Sequence, residues 1–365
     1  MPLKEKLLVQ RIRRAAGRRG DLAERGIGDD CAVLRIPPGH EALITTDFTL
    51  EDVHFRRQWH PPDSAGHRCL ARGLSDIAAM GGVPHAAFLS LALPPDLSQK
   101  WVDQFIAGLL KLAKRYSVQL AGGDTALSPD GVLSDIVVVG SVPEGRAILR
   151  SGALAGDLIY VTGTLGSSAA ALNQLRDGKE LRPGSHRKHF YPEPRIAIGQ
   201  FLREKKLASA MIDISDGLST DLAHICEESK TGAVVYADLL PIFSGAYRVY
   251  GRATSRSIKA RASAPAASTE AGAKARNFSS AALGTTGSRA LIQSSDATNQ
   301  LELALHGGEE YELLFTARPN RRIPKQIDGV AVARIGEIVR GRQVKLVKLD
   351  GKSEALLSAG WEHFG

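Results

Sequence analysis

Along this 365-residue chain, apolar strand-like runs repeatedly meet an aspartate and then a turn. LITTD ends in Asp47, QLAGGD in Asp124, and AMIDISDG carries Asp213 and Asp216. Asp30 sits in GIGDDCAVLRIPPG just ahead of the first strand, and Asp76 falls inside an otherwise apolar helical stretch beside Leu74, Ile77 and Ala78. Strands that end in polar turns and alternate with helices specify an α/β or α+β protein. Strands are expected at 41–48, 88–94, 135–142, 157–163 and 309–317, with 210–217 a strand running into a loop and 330–339 and 343–349 a closing hairpin. Helical spacing predicts helices over 63–80, 98–116 with Ser98 as cap, 167–175, 194–205 and 218–228.

Single cores stop growing near roughly 250–300 residues, so two domains are expected. They are an N-terminal sheet domain over 1–148 and a C-terminal α/β domain over 149–365. Residues 245–300 lose hydrophobic periodicity and read as a flexible basic insertion. That stretch holds eight Lys or Arg against two acids, so it carries most of the chain's net charge of +8. No aromatic-basic interleaving accompanies it, which argues against nucleic-acid binding as the main function. Three scattered cysteines (Cys31, Cys69, Cys226) suit a reducing cytoplasmic setting and make neither a disulfide framework nor a zinc site. The basic N-terminus around Leu3, Leu7, Leu8 and Ile12 reads as a surface helix, and no apolar run of about 18 residues predicts a membrane span.

Carboxylates gathered at one place repel one another unless cations neutralise them. Mg²⁺ is the expected cation, because it takes hard oxygen ligands and keeps positions for water and phosphate. Thr45 and Thr46, directly before Asp47, can add oxygen donors, or they are plain strand residues. Each aspartate alone is as well explained as a turn former or helix cap; the shared context is what points to metal. Asp221, four residues into its helix, reads as a surface acid. Gly122 and Gly123 before Asp124 leave room for a backbone to approach phosphate. GxxxxGK[ST] is absent, and GTLGSSAA at 163–170 lacks its lysine, so this is not a P-loop protein.

GIGDDCAV (26–33), TTDF (45–48), LSDIAAMGG (74–82), AGGDT (121–125), RSGALAGDLIYVTGTLG (150–166), IDISDGLSTDL (212–222) and GGEEYELLF (307–315) together resemble the thiamine-monophosphate kinase family. That family lies in the aminoimidazole-ribonucleotide-synthetase-like superfamily. The resemblance implies that superfamily's two-domain α/β fold and a homodimer formed through N-terminal sheets. It implies ATP-dependent phosphorylation of thiamine monophosphate to thiamine diphosphate with several Mg²⁺ ions. By motif, Asp30, Thr45, Thr46, Asp47, Asp76, Asp124, Asp213 and Asp216 are the implied metal ligands. Gly123, Asp124, Arg150 and Ser215 are implied to contact ATP, and His54, Glu309 and Trp361 the thiamine substrate. Trp361 is otherwise a core anchor for the chain end, and His54 an ordinary loop histidine. Two departures stand out: Ile106, flanked by Phe105, occupies a position where many relatives carry a tyrosine beside adenine, and GGEEYE places Glu310 where an Asp is usual.

Donor and acceptor would both be phosphates, so the expected chemistry is in-line transfer through positioning and charge neutralisation. No covalent or general-base residue is predicted. The alternatives are another ATP-dependent member of the superfamily, a nucleic-acid-binding protein using 245–300, and a non-catalytic relative. Residues 1–25 contain no cysteine for selenide chemistry, and the intact aspartates oppose the last.

Overall fold

The computed structural model describes residues 5–17, 23–27, 30–243 and 299–361. The chain opens with α1 (Glu5–Ala16), which lays Leu8 into the core, and with a small ribbon of β1 (Ala23–Arg25) and β2 (Val33–Leu34). There follow β3 (His40–Leu50), α2 (Pro62–Ala79), β4 (Val83–Leu93), α3 (Gln99–Arg115), β5 (Gln119–Leu127) and β6 (Leu133–Pro143). The four long strands form one sheet in the order β3-β6-β4-β5, with only β4 and β5 parallel.

Proline early in α2 starts that helix where its missing N–H costs nothing. Ser98 caps α3 as expected, its side chain accepting from the Trp101 N–H at 3.2 Å. The two helices touch almost backbone to backbone. A Cβ on Gly66 would lie 1.9 Å from the Phe105 carbonyl, and one on Gly108 would lie 2.0 Å from that of Asp63.

The second domain contains β7 (Leu158–Thr162), α4 (Ser167–Arg176), α5 (Arg187–Phe190), α6 (Ile196–Glu204), β8 (Ala210–Asp213), α7 (Leu218–Ser229) and β9 (Gly232–Tyr236). After the undescribed segment come a helix α8 over 299–306 and β10 (Leu313–Ala317), β11 (Gln326–Ile327), β12 (Val330–Val339), β13 (Val344–Val347) and β14 (Ser353–Ala355). The sheet runs β14-β13-β9-β12-β7-β10-β8, with β11 paired to β12. A two-domain α/β fold is therefore present. The insertion expected at 245–300 lies outside the described residues apart from its last two positions, which belong to α8.

Two local expectations fail. The closing hairpin does not form: β13 pairs in parallel with β9, and β9 lies between it and β12. Residues 309–312 are not strand, because Glu309 (φ 63°) and Tyr311 (φ 51°) take left-handed backbone and break the pairing before β10. The domains share a core. The cluster built on α2 and α3 runs on to Met211, Leu313 and Phe315 of the second sheet.

Candidate active site

β3 alternates, and the alternation sorts its residues. Leu43, Thr45, Asp47 and Thr49 turn inward toward α2, while Ile44, Thr46 and Phe48 face the open side of the sheet. The Thr45 hydroxyl donates to the Asp76 carboxylate on α2. The Thr46 hydroxyl instead donates to Asp135 at 2.6 Å on the outer face, so its side chain stands away from the inner acids. Asp47 does not end a strand. It pairs with Ile136 well inside β3. Asp213 is the last residue of β8, is buried, and accepts from the Ser75 hydroxyl at 2.5 Å.

Asp47, Asp76 and Asp213 lie near enough, across the join between the domains, for each to feel the charge of another. Burial is the main cause that lifts Asp76 to about 7, and the Asp213 charge adds to it. Burial likewise lifts Asp47 and Asp213 to about 6, with Arg72 and Ser75 respectively opposing the rise. Arg150 is exposed, and its positive charge stabilises the ionised forms of both Asp76 and Asp213.

Asp30, Gly123 and Asp124 lie elsewhere, along a groove that Val9 and Ile12 of α1 and Phe88 also line. In register, Phe48, Asp135, Ser90 and Asp124 form one row across the sheet, which puts Asp124 on the outer face with Thr46. β3 and β5 are opposite edges of the sheet, three strand spacings or about 14 Å apart. One copy of the chain therefore does not gather the eight implied metal ligands at one point. Gly123 is obligatory: its φ is 141°, and a Cβ would lie 1.9 Å from the Leu89 carbonyl oxygen.

His54, Glu309 and Trp361 line one cleft, together with Ser215 and Asp216. Glu309 is gripped by Arg68 and by Arg72 Nη1, the latter at 2.6 Å. Burial alone would raise the carboxyl, but the two guanidiniums hold it down to about 2. His54 Nδ1 accepts the Leu50 N–H at 3.0 Å, which fixes its ring in the loop after β3. Trp361 is 47% exposed, so it walls the cleft and does not anchor a core; its N–H donates to the Asp216 carbonyl at 3.0 Å.

Sequence reasoning misplaced or missed several residues. Asp221 is not a surface acid. It is 2% exposed and accepts the N–H groups of Ser215, Asp216 and Gly217 at 3.1–3.2 Å, holding the DISDG loop in shape. Arg68 and Arg72, one turn apart on an apolar helix, carried a signal in that unusual context. The neighbouring glutamates have separate tasks: Glu310 accepts the Ser168 N–H at 2.9 Å at the start of α4, and Glu312 forms a buried fork with Arg195 at 2.8 and 2.6 Å. His60 and His189 touch through their Nε2 atoms at 3.1 Å at the edge of the cleft, and burial keeps both neutral. Phe105 and Ile106 are both buried in the core and line neither cavity.

Among the described residues no three His, Cys, Asp or Glu side chains form a ready-made metal cage. The inner donor set still suits Mg²⁺ chemically. It is all oxygen, its carboxylates resist ionising side by side, and Mg²⁺ commonly uses one or two carboxylates and takes phosphate oxygens for the rest.

Residues 28–142 match the family "AIR synthase related protein, N-terminal domain", and residues 155–348 match the corresponding C-terminal domain family. A thiamine-monophosphate kinase of Escherichia coli (strain K12) is 35% identical over 351 residues, covering 93% of this chain and 92% of its own. A thiamine-monophosphate kinase structure from Stenotrophomonas maltophilia K279a superposes with a TM-score of 0.72 at 31% identity, covering 97% and 99% of the two chains. A structure described as AaThiL complexed with AMPPCP and TMP gives 0.68 at 28% identity, over 90% and 89%.

Proposed function

The chain belongs to the thiamine-monophosphate kinase family across both of its domains, and from that membership we propose that it moves the γ-phosphoryl group of ATP onto the phosphate of thiamine monophosphate. The products are thiamine diphosphate and ADP. The observation that carries this reading is the trio Asp47, Asp76 and Asp213, carboxylates that act on one another's charge next to Arg72, which lines the cleft of His54, Glu309 and Trp361. A family member with AMPPCP and TMP supports the choice of both substrates.

Asp47, Asp76 and Asp213 would hold Mg²⁺, with Asp216 at the mouth of the cleft and Asp30 and Asp124 on the outer groove. Mg²⁺ supplies neutralisation of phosphate charge and alignment of the reacting oxygens. The chain's own residues do the rest. Gly123 lets the nucleotide lie against bare backbone, and Arg150 offers a fork to phosphate. Asp221 fixes the loop that presents Ser215 and Asp216. His54, Glu309 and Trp361 bound the thiamine side. The acceptor oxygen is already ionised near neutral pH, so transfer is direct and in line, with no general base and no phosphoenzyme.

A homodimer fits the outer sheet face, where Ile44 is 70%, Phe48 55% and Leu133 39% exposed beside the polar row of Thr46, Asp135 and Asp124. Exposed apolar side chains grouped on one sheet face support an interface there. Three free cysteines support the cytoplasm as its setting, and no described helix is long and apolar enough to cross a membrane. The test is incubation with ATP, Mg²⁺ and thiamine monophosphate. Stoichiometric thiamine diphosphate and ADP support the reading; ADP and free phosphate without the diphosphate overturn it.

A further inference from the structure

We infer that Arg72 receives the phosphate of the acceptor molecule and thereby makes the cleft select a phosphorylated substrate. This rests on the kinase reading above and adds a residue that the family motifs do not supply. Arg68 and Arg72 project from successive turns of α2, and both line the cleft that His54, Trp59 and Trp361 bound.

The two arginines are not equivalent. Arg68 is 2% exposed and spent on structure: it pairs with Glu309, reaches the His54 carbonyl at 3.2 Å, and holds the His189 carbonyl. Arg72 keeps capacity in hand. Its Nη1 donates to Glu309 at 2.6 Å and to the Tyr311 hydroxyl at 3.2 Å. Its Nη2 reaches Asp47 only at 3.4 Å, the outer limit of a hydrogen bond. The Nε atoms of both arginines are buried without a hydrogen-bond partner among the described residues, so the difference between them lies at the weakly held Nη2 of Arg72. A guanidinium has five N–H donors in a planar fork matched to phosphate oxygens, and a buried donor without a partner is costly.

The charges agree. Glu309 and Asp47 together offset the two arginines, but the Asp47 contact to Arg72 is the long one at 3.4 Å, so an Asp47 turned to Mg²⁺ would leave the Arg72 charge free at the inner end of the cleft. A phosphate entering there completes the donors of Arg72 and releases Asp47 from its long contact. The phosphate that reaches this point belongs to the molecule in the cleft. Arg72 lines this cleft, whereas Gly123 and Asp124 line a separate groove at the opposite edge of the sheet.

The test is equilibrium binding of thiamine monophosphate and of unphosphorylated thiamine to the full-length, metal-free protein, by calorimetry. Wild type, Arg72→Met and Arg72→Lys are compared, and KM for each substrate is measured separately. Wild type is expected to prefer the phosphorylated ligand. Arg72→Met loses about 10–100-fold in affinity for thiamine monophosphate, the worth of a charged hydrogen-bond pair, while thiamine binding is unchanged. Arg72→Lys keeps the charge but not the fork and falls between, so it carries the test if the Met variant does not fold. KM for thiamine monophosphate rises in parallel, and KM for ATP does not. Equal losses for both ligands would make Arg72 a mere holder of Glu309 and overturn the inference. A change confined to KM for ATP would assign Arg72 to the donor phosphate and overturn it too. In both cases a wild type that still forms thiamine diphosphate leaves the kinase reading standing; a wild type that binds neither ligand and forms no thiamine diphosphate with ATP and Mg²⁺ sinks both.

Discussion

Replacing Asp221 with alanine removes the acceptor on which the DISDG loop closes. Asp221 is 2% exposed and takes three backbone N–H bonds, from Ser215 and Asp216 at 3.2 Å and from Gly217 at 3.1 Å. A donor left unpaired in the interior costs about 1–3 kcal/mol, and one that water can reach costs less. Gly217 is buried, while Ser215 and Asp216 are half-buried. Counting the first in full and the others in part gives about 2–4 kcal/mol of lost stability. Asp221→Asn separates geometry from charge. Its amide oxygen can accept the same N–H groups, and it removes a carboxylate that burial and the charges of Asp213 and Asp216 push well above its usual range. It should cost less than about 1 kcal/mol. The loop also supports its neighbours: the Glu309 N–H donates to the Ser215 carbonyl at 2.7 Å and the Trp361 N–H to that of Asp216 at 3.0 Å. Urea unfolding with parallel initial-rate assays reads both effects. The alanine variant should lose most turnover and the asparagine variant keep most of it. An alanine variant within about 0.5 kcal/mol of wild type and fully active would refute the reasoning.

Gly123→Ala drives a Cβ to 1.9 Å from the Leu89 carbonyl oxygen, so β5 must shift; KM for ATP should rise at least about tenfold while KM for thiamine monophosphate holds, read by initial rates. Arg195→Met leaves Glu312, which is fully buried, with Lys188 and Thr162 alone, and should cost about 3 kcal/mol in chemical denaturation. Asp76 binds its proton more tightly folded than unfolded, so its contribution to stability is present near pH 4 and is lost as pH rises to about 7. Asp76→Asn should therefore gain stability relative to wild type across that window in metal-free protein, by about 1–3 kcal/mol, and lose activity; melting temperatures of the two proteins from pH 4 to 7 give the difference.

The strands and helices that carry the site were legible because their signals are local. Ser98 caps α3 through its own side chain, whereas LITTDF, with paired apolar and paired hydroxyl residues, does not by itself separate Thr45 from Thr46, which only the burial of the strand's inner face does. What was not legible depends on residues distant in the chain. A period-two pattern over 343–349 predicts a strand but not its partner, and β13 found β9 across more than a hundred residues of chain. GGEEYELLF has the composition of a continuous strand, yet left-handed backbone at Glu309 and Tyr311 turns three glutamates in three directions, to Arg68 and Arg72, to α4 and to Arg195. Asp221 has the spacing of an ordinary first-turn acid, and only the closing of the loop over it buries it. The strand-end context held for Asp213 alone, since Asp47 lies inside β3 and Asp76 inside α2. Asp124 on β5 and Asp30 line a separate groove, so one copy of the chain does not bring them to the other aspartates.

The most direct measurement follows the γ-phosphate. With ATP labelled there, the label should appear in thiamine diphosphate, only when Mg²⁺ is present, with none retained on the protein, and Asp213→Asn should abolish the transfer. Label on the protein, label released only as inorganic phosphate, or undiminished transfer by Asp213→Asn would contradict the account.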